Sequence, residues 1–522
     1  MPDYSSAVTS RPQSPAPRIR RGRARGAARS WFRPTWWLPF LGFFLLCAGW
    51  ALAAPYDASP DEAQHIIRAA AVARGEIAPK PEMVPSGTGA YQNVPATLVR
   101  DNCWAFDAAV SAACAKAPEG DEHVVRAATR AGRYNPVFYA VVGWPLALWP
   151  NWLGVTLARL IGAGLVSALL ASAAHSAAAW TRHRIMGAGV LVAVTPITVH
   201  LSGSVNPNGV EIAAGMALIA ALIPTMLDPE QPLRRAAMVQ IGIAGSVLMT
   251  LRALGPLWCA AIVGIMLVPA KRERLRALLR FRPFWWAAGA LTVTGAAGAL
   301  WTVVMKTSEL SPVGGGDITF AQAFRHEVVV QWAGYMQEMI GIPSWLDTRL
   351  PNTPYYLWYL ALGVLALAGF AFAGWADRWR LFAFAAVPFA VVTLSDSFAA
   401  AKVGFAGQGR YLLPVAVGVP LLGAFLLGRS GVLDRARSAS LFRVLAVLVL
   451  PLQLVFLGYT MIRWQAGQGI ALTYTPVNPL NGTWHPPAGS GTALAAAAVG
   501  CLLLGAWAWT GIGRAKDAAV ES

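Results

Sequence analysis

Asp61-Glu62-Ala63-Gln64-His65 follows the first apolar run of the chain and sets two carboxyls and an imidazole within five positions. On a helix, residues four apart share a face about 6 Å from each other. A carboxylate at a membrane boundary, partly stripped of water, is suited to take a proton from a hydroxyl. Asp61 and Glu62 are therefore the candidate catalytic residues, and His65 is a candidate substrate-binding group. The competing reading is structural: acids in a first turn complement the helix dipole, and His65 decorates a surface. Far along the chain, Arg252 and Arg410 each stand at the boundary of an apolar run. A guanidinium fork matches phosphate oxygens at headgroup level, while a plain interfacial anchor is the alternative. Lys306 is a further candidate for phosphate contact.

Other chemistry-bearing residues point less clearly. No His or Cys cluster has metal-ligand spacing, so His175 and His200 are read as helix-packing residues and no metal site is assigned; a divalent ion is left open. Cys103 and Cys114 share one polar segment. Outside the cell they form a disulfide; inside it they are two thiols. Most of the 22 Trp residues lie at the ends of apolar runs, as in an aromatic belt. Trp345 and Trp484 lie in polar segments and could stack on sugar rings.

The elements that must position these groups are membrane helices. The chain has 522 residues, 56% hydrophobic and 13% charged, where a soluble domain carries about 25% charged residues. Its apolar runs have the length of helical spans and lack the short alternation of a barrel. The net charge of +17 sits in clusters between apolar runs, which suits cytoplasmic loops facing anionic lipid rather than nucleic acid. The Arg-over-Lys and Ala bias suggests a bacterial genome. The expected fold is all-α and polytopic, with about twelve spans: 36–54, 152–180, 185–201, 207–227, 236–251, 254–269, 284–305, 355–375, 380–395, 411–428, 441–462 and 491–510.

Residues 1–35 read as a disordered basic cytoplasmic tail and 511–522 as a second cytoplasmic tail. Between them, 36–510 form a single membrane domain with large outer loops at 55–151, 306–354 and 463–490. Within the first loop, Asp61 to Glu76 is expected to be helical, capped by Ser59. Its stripe of Ile66, Ala69, Ala70 and Ala73 is expected to lie on the membrane surface. The run from Tyr134 to Trp149, broken by Pro136 and Pro145, is read as interfacial or re-entrant. Arg159 is left inside a span, either functional or snorkelling outward.

Four stretches carry a resemblance: Pro60-Asp61-Glu62-Ala63-Gln64-His65, Ser204-Val205-Asn206-Pro207-Asn208-Gly209, Trp345-Leu346-Asp347-Thr348-Arg349-Leu350-Pro351, and Gly407-Gln408-Gly409-Arg410-Tyr411-Leu412-Leu413-Pro414. Their order and spacing resemble the DUF2142 family of bacterial membrane proteins, placed in the GT-C glycosyltransferase superfamily. The resemblance implies a GT-C-like fold and a sugar donor linked to polyprenyl phosphate. It implies a glycan or protein acceptor in the cell envelope, and an outer-loop catalytic acid matching Asp61. It adds Gln408, Tyr411 and Asn206 to the candidate substrate-binding set. One departure stands out. Many GT-C enzymes carry a second acid after the third span, where this chain has Asn206 and Asn208, with Glu211 one turn later. The resemblance implies an active site on the outer face of a bacterial cytoplasmic membrane, and the uneven distribution of Lys and Arg between loops puts both termini inside. Two rival readings remain: a transporter or flippase of lipid-linked glycans, and a non-catalytic partner in envelope assembly.

Overall fold

The computed structural model describes residues 34–85, 87–307, 309, 317–468 and 478–510. The expected tails, 1–35 and 511–522, fall almost wholly outside these residues. The chain opens with α1 (Pro34–Ala53), then enters the first loop with α2 (Glu62–Ala73), β1 (Glu82–Val84), β2 (Gly87–Pro95), β3 (Val124–Thr129), α3 (Pro136–Val142) and α4 (Trp144–Leu148). Next come α5 (Trp152–Ala179), α6 (Ile185–Ala193), α7 (Pro196–Ser202), α8 (Pro207–Leu227), α9 (Arg235–Leu251), α10 (Gly255–Leu267), α11 (Arg272–Arg280) and α12 (Arg282–Val304). The remainder is α13 (Phe320–His326), α14 (Trp332–Gly341), α15 (Asn352–Phe372), α16 (Trp375–Val403), α17 (Leu413–Ala416), α18 (Gly418–Arg429), α19 (Arg435–Ala466) and α20 (Ser490–Thr510).

Among the described residues, eight helices are long and apolar enough to cross a membrane, or nine if α6 and α7, bent by 63°, form one span. The chain is a polytopic helical membrane protein. The sequence expectation of twelve is not met by length. The other three expected spans fall on α9, α10 and the α17–α18 pair, shorter apolar helices of 10–17 residues. At 1.5 Å per residue these are shorter than a hydrocarbon core of about 30 Å.

The long helices pack through small residues. α1 lies against α20 and α5. A side chain added at Gly49 would fall 2.7 Å from the Ala497 Cβ, and one at Gly500 would fall 2.5 Å from the Leu46 nitrogen. Such close backbone approach is how helices gain dispersion contact where lipid supplies no hydrophobic drive. α8 is enclosed by protein over its whole apolar window, whereas only 11% of the α12 window is buried.

The first loop departs from an all-α reading. β1, β2 and β3 form one antiparallel sheet, with Glu82 opposite Gly89 and Ala90 opposite Thr129. α2 packs against this sheet and against α3 and α4. Every α2 residue from Glu62 to Val72 except Gln64 is buried. The expected membrane-surface helix is therefore an interior helix of the loop, its apolar stripe covered by protein rather than lipid. Arg68, fully buried, ties its end down by donating to the carbonyls of Glu76, Ile77 and Tyr134 at 3.1, 2.7 and 2.9 Å. The broken run after Tyr134 is two helices of seven and five residues, too short to cross. Cys103 and Cys114 are joined by a disulfide.

Candidate active site

Asp61 is the residue from which the site is built. It ends the turn before α2 and is the N-cap residue, with φ 69° and ψ 6° and no side-chain capping bond. Ser59, the expected cap, instead donates to the Ser204 hydroxyl at 3.0 Å. A non-glycine residue pays steric strain in the left-handed region, and strained backbone of this kind clusters at functional sites. The turn is enforced from several sides. Asp57 accepts from the Ala63 amide at 2.8 Å and from the Asn102 side chain at 2.9 Å. Asn206 donates to the Pro60 carbonyl at 3.1 Å. The Asp61 carboxylate is thus turned away from its own helix.

Two guanidinium groups meet it. Arg130 Nη2 lies 3.0 Å from Oδ1 and Arg410 Nη2 lies 3.3 Å from Oδ2. Burial alone would raise the Asp61 pKa, but Arg410 and then Arg130 outweigh it and hold the carboxyl below its ordinary value. Asp61 is ionised at neutral pH. Arg410 is 2% exposed, and its Nε and Nη1 make no hydrogen bond within the protein. The Oε1 of Gln408 is likewise buried and without a partner. The Tyr411 ring joins the second arginine: Arg252 lies 4.8 Å and Arg410 5.2 Å from its centre. Arg252 in turn approaches the Glu211 carboxylate of α8 at 3.6 Å, and Glu211 accepts from Asn208 at 2.9 Å.

The structure therefore brings together Asp61, Arg410, Arg252, Tyr411, Gln408 and Asn206 from the candidate set. Glu62 is directed elsewhere. Both its oxygens are engaged by Arg159, at 2.7 and 2.8 Å, and they also accept from the Val205 and Ala58 amides. Neither partner of this ion pair is exposed. Arg159 further donates to the carbonyls of Ala54 and Pro55, so it neither snorkels nor faces a cavity. Glu62 and Arg159 pin the end of α1 to the start of α2. His65 hydrogen-bonds the Tyr139 hydroxyl at 2.8 Å and stacks on that ring. Burial pushes its pKa down to about 3, against the attraction of Asp61, so it is neutral. Lys306 is exposed and pairs with Glu309 at 3.4 Å, and no contact joins it to the Asp61 cluster. His200 accepts from the Ser344 amide at 3.2 Å and packs on Trp50, as a helix-packing histidine does.

The chain can be compared with known proteins on this geometry. The sequence profile of a family described as "Predicted membrane protein (DUF2142)" matches residues 44–419, a span that contains Asp61, Arg252 and Arg410 alike. The chain belongs to this family. Neither the curated proteins nor the solved structures contain a match to it.

This DUF2142 protein holds groups that sequence reasoning passed over. Arg130 follows β3, and nothing local marked it as a partner of Asp61. Asp57 is buried, and burial pushes its carboxyl up to about 8 despite the Asn102 and Ala63 hydrogen bonds. A second acidic cluster lies beneath the loop that carries Arg410. Glu327, fully buried, accepts from the Tyr335 hydroxyl at 2.8 Å, and Asp396 accepts from the Ala406 amide at 3.0 Å. Glu338 accepts from the Gly409 amide at 2.6 Å. Gly409 is required there, since a side chain would fall 2.5 Å from the Tyr335 carbonyl oxygen. Burial and the neighbouring Asp396 raise the Glu327 pKa to about 8. Asp396 had a readable signal: an acid inside a long apolar helix is rare and purposeful. Among the described residues, no group of three or more His, Cys, Asp or Glu side chains is arranged to hold a metal ion.

Proposed function

We propose that the chain is a GT-C-type glycosyltransferase. It takes a sugar from a polyprenyl-phosphate carrier and passes it to a cell-envelope acceptor, a glycan or a protein, on the outer face of a bacterial cytoplasmic membrane. In this reading the bent pair and the three shorter apolar helices also cross, giving twelve spans with both termini inside. The carrying observation is Arg410: it is 2% exposed, has two unpaired nitrogens, and its third nitrogen lies on the Asp61 carboxylate. A buried guanidinium with free donors is costly, and a phosphate is the acceptor that fits its fork.

The chemistry follows from these positions. Asp61 takes the proton of the acceptor hydroxyl. The freed oxygen attacks the anomeric carbon from the side opposite the phosphate and inverts that centre. The bond from the anomeric carbon to the phosphate oxygen breaks, and its electron pair leaves with polyprenyl phosphate. Arg410 and Arg252 receive the developing charge, an electrostatic role worth several kcal/mol in a water-poor site. Phosphate bound to Arg410 also competes with its hold on Asp61. That raises the basicity of the carboxylate when the donor is in place. Glu62 acts as a positioning residue through Arg159, and Asn206 acts through Pro60.

The test is transfer from a radiolabelled polyprenyl-phosphate sugar to envelope acceptor by the purified chain in lipid. Wild type transfers label, and Asp61→Asn loses about 100-fold or more, the usual contribution of a general base. Undiminished transfer by that variant ends this assignment.

A further inference from the structure

We infer that Phe106 and Trp345 form a binding platform for a pyranose ring of a neutral carbohydrate, beside the turn that carries Asp61. Phe106 is 74% exposed and sits at φ 64°, a conformation that costs a bulky residue of order 1 kcal/mol. A disordered loop would relax both features. This loop is instead fixed on both sides of the ring. The Cys103–Cys114 disulfide closes it. Asn102 accepts from the amides of Trp104 and Ala105 and donates to Asp57. Arg463, fully buried, donates to the carbonyls of Trp104, Asp107 and Val110 and reaches Asp347 at 2.9 Å. The backbone is held, and the exposed ring is what it holds out.

Trp345 supplies the second wall. Its ring centre is 5.1 Å from that of Phe106, at 65°. Its Nε1 donates to the Asp57 carbonyl at 2.7 Å, four residues before Asp61. The two rings meet edge to face, and Phe106 stands clear of the surface beside Trp345. The faces of such rings are electron-rich, and the axial C–H groups of a pyranose carry partial positive charge, so sugar rings stack on them.

The charge of the surrounding loop separates this from a membrane anchor. Residues 99–123 contain Asp101, Asp107, Glu119, Asp121 and Glu122 against Arg100 and Lys116. A net negative loop is repelled by anionic lipid headgroups and tolerates a neutral sugar. The proposed transferase reading gives the bound ring a role, that of the acceptor, but the platform itself is tested without any transfer.

The experiment uses the full chain in nanodiscs and saturation-transfer NMR with tetrasaccharides of glucose, mannose and galactose. Wild type saturates protons on one face of at least one of the three. Phe106→Ala weakens that binding roughly tenfold, the loss of a central aromatic contact, and Phe106→Trp retains it. Equal binding by Phe106→Ala, or no saturation of any of the three, overturns the platform. A nitroxide at Phe106→Cys is relaxed by a water-soluble nickel chelate; relaxation only by oxygen would place position 106 in lipid and also overturn it. Absence of sugar binding by the wild type thus counts against the platform alone, and undiminished transfer by Asp61→Asn against the transferase alone.

Discussion

At Asp61 two requirements oppose each other. A base must be ionised, which Arg410 and Arg130 secure, yet a carboxylate held below its ordinary pKa takes protons reluctantly. The proposed donor resolves this by drawing Arg410 onto phosphate. Asp61→Asn should therefore lower kcat by about 100-fold or more without raising the KM for donor, since Arg410 is freed. Arg410→Ala should raise that KM about tenfold or more, and steady-state kinetics with both variants reads the split. Equal effects of Asp61→Asn on kcat and KM would count against these separate roles. At Glu62 the expectation is structural. Removing one partner of a buried ion pair costs about 3–5 kcal/mol, whereas replacing both with apolar groups of similar size is often near neutral. Glu62→Ala should lower the melting temperature in detergent sharply, and Glu62→Leu with Arg159→Met should recover only part of the loss, because the Ala58 and Val205 amides and the Ala54 and Pro55 carbonyls stay unpaired. Which of two adjacent acids faces the site was not legible from spacing. Asp61 and Glu62 differ in the backbone angle of one turn, and their partners lie 349 and 97 positions away.

Elements show what periodicity can and cannot carry. Each of the twelve apolar runs falls on helix, because a membrane leaves backbone groups no other local solution. The sheet of the first loop was not foreseen. β2 reads Gly-Thr-Gly-Ala-Tyr-Gln-Asn-Val-Pro, with too few apolar positions to mark period-two alternation. The placement of α2 was misjudged because an apolar stripe is the same pattern whether lipid or protein covers it. The segment from α13 to α14 carries a pH test. Glu327 moves from 4.5 to about 8, so the folded chain keeps a proton there that the unfolded chain has released. Stability from this group is whole below pH 4.5 and declines as pH rises through the interval to about 8. Glu327→Gln should flatten melting temperature against pH across that interval, and an unchanged slope would show that the carboxyl does not titrate there.

For the whole molecule, the proposed arrangement fixes which loops meet which solution. Glu119→Cys, in the first loop, should react with a membrane-impermeant maleimide on intact cells, and Arg276→Cys, on α11, only after permeabilisation. The reverse result would put Asp61 in the cytosol and remove the transferase reading. The charge clusters are the ground for this orientation; Asp61 and Arg410 were each legible as candidates, whereas Arg130 joins them only in the closed fold. α8 sets a further condition. It is sheathed by neighbours along its whole length, and at its N-terminal end it bears Asn208 and Glu211, just after Asn206. A rod with no side open to oil cannot swivel outward without breaking contacts all round it. This enclosed helix thus supports the Glu211 side of the candidate site, so in the proposed reading any motion during turnover would fall to the peripheral helices rather than to this support.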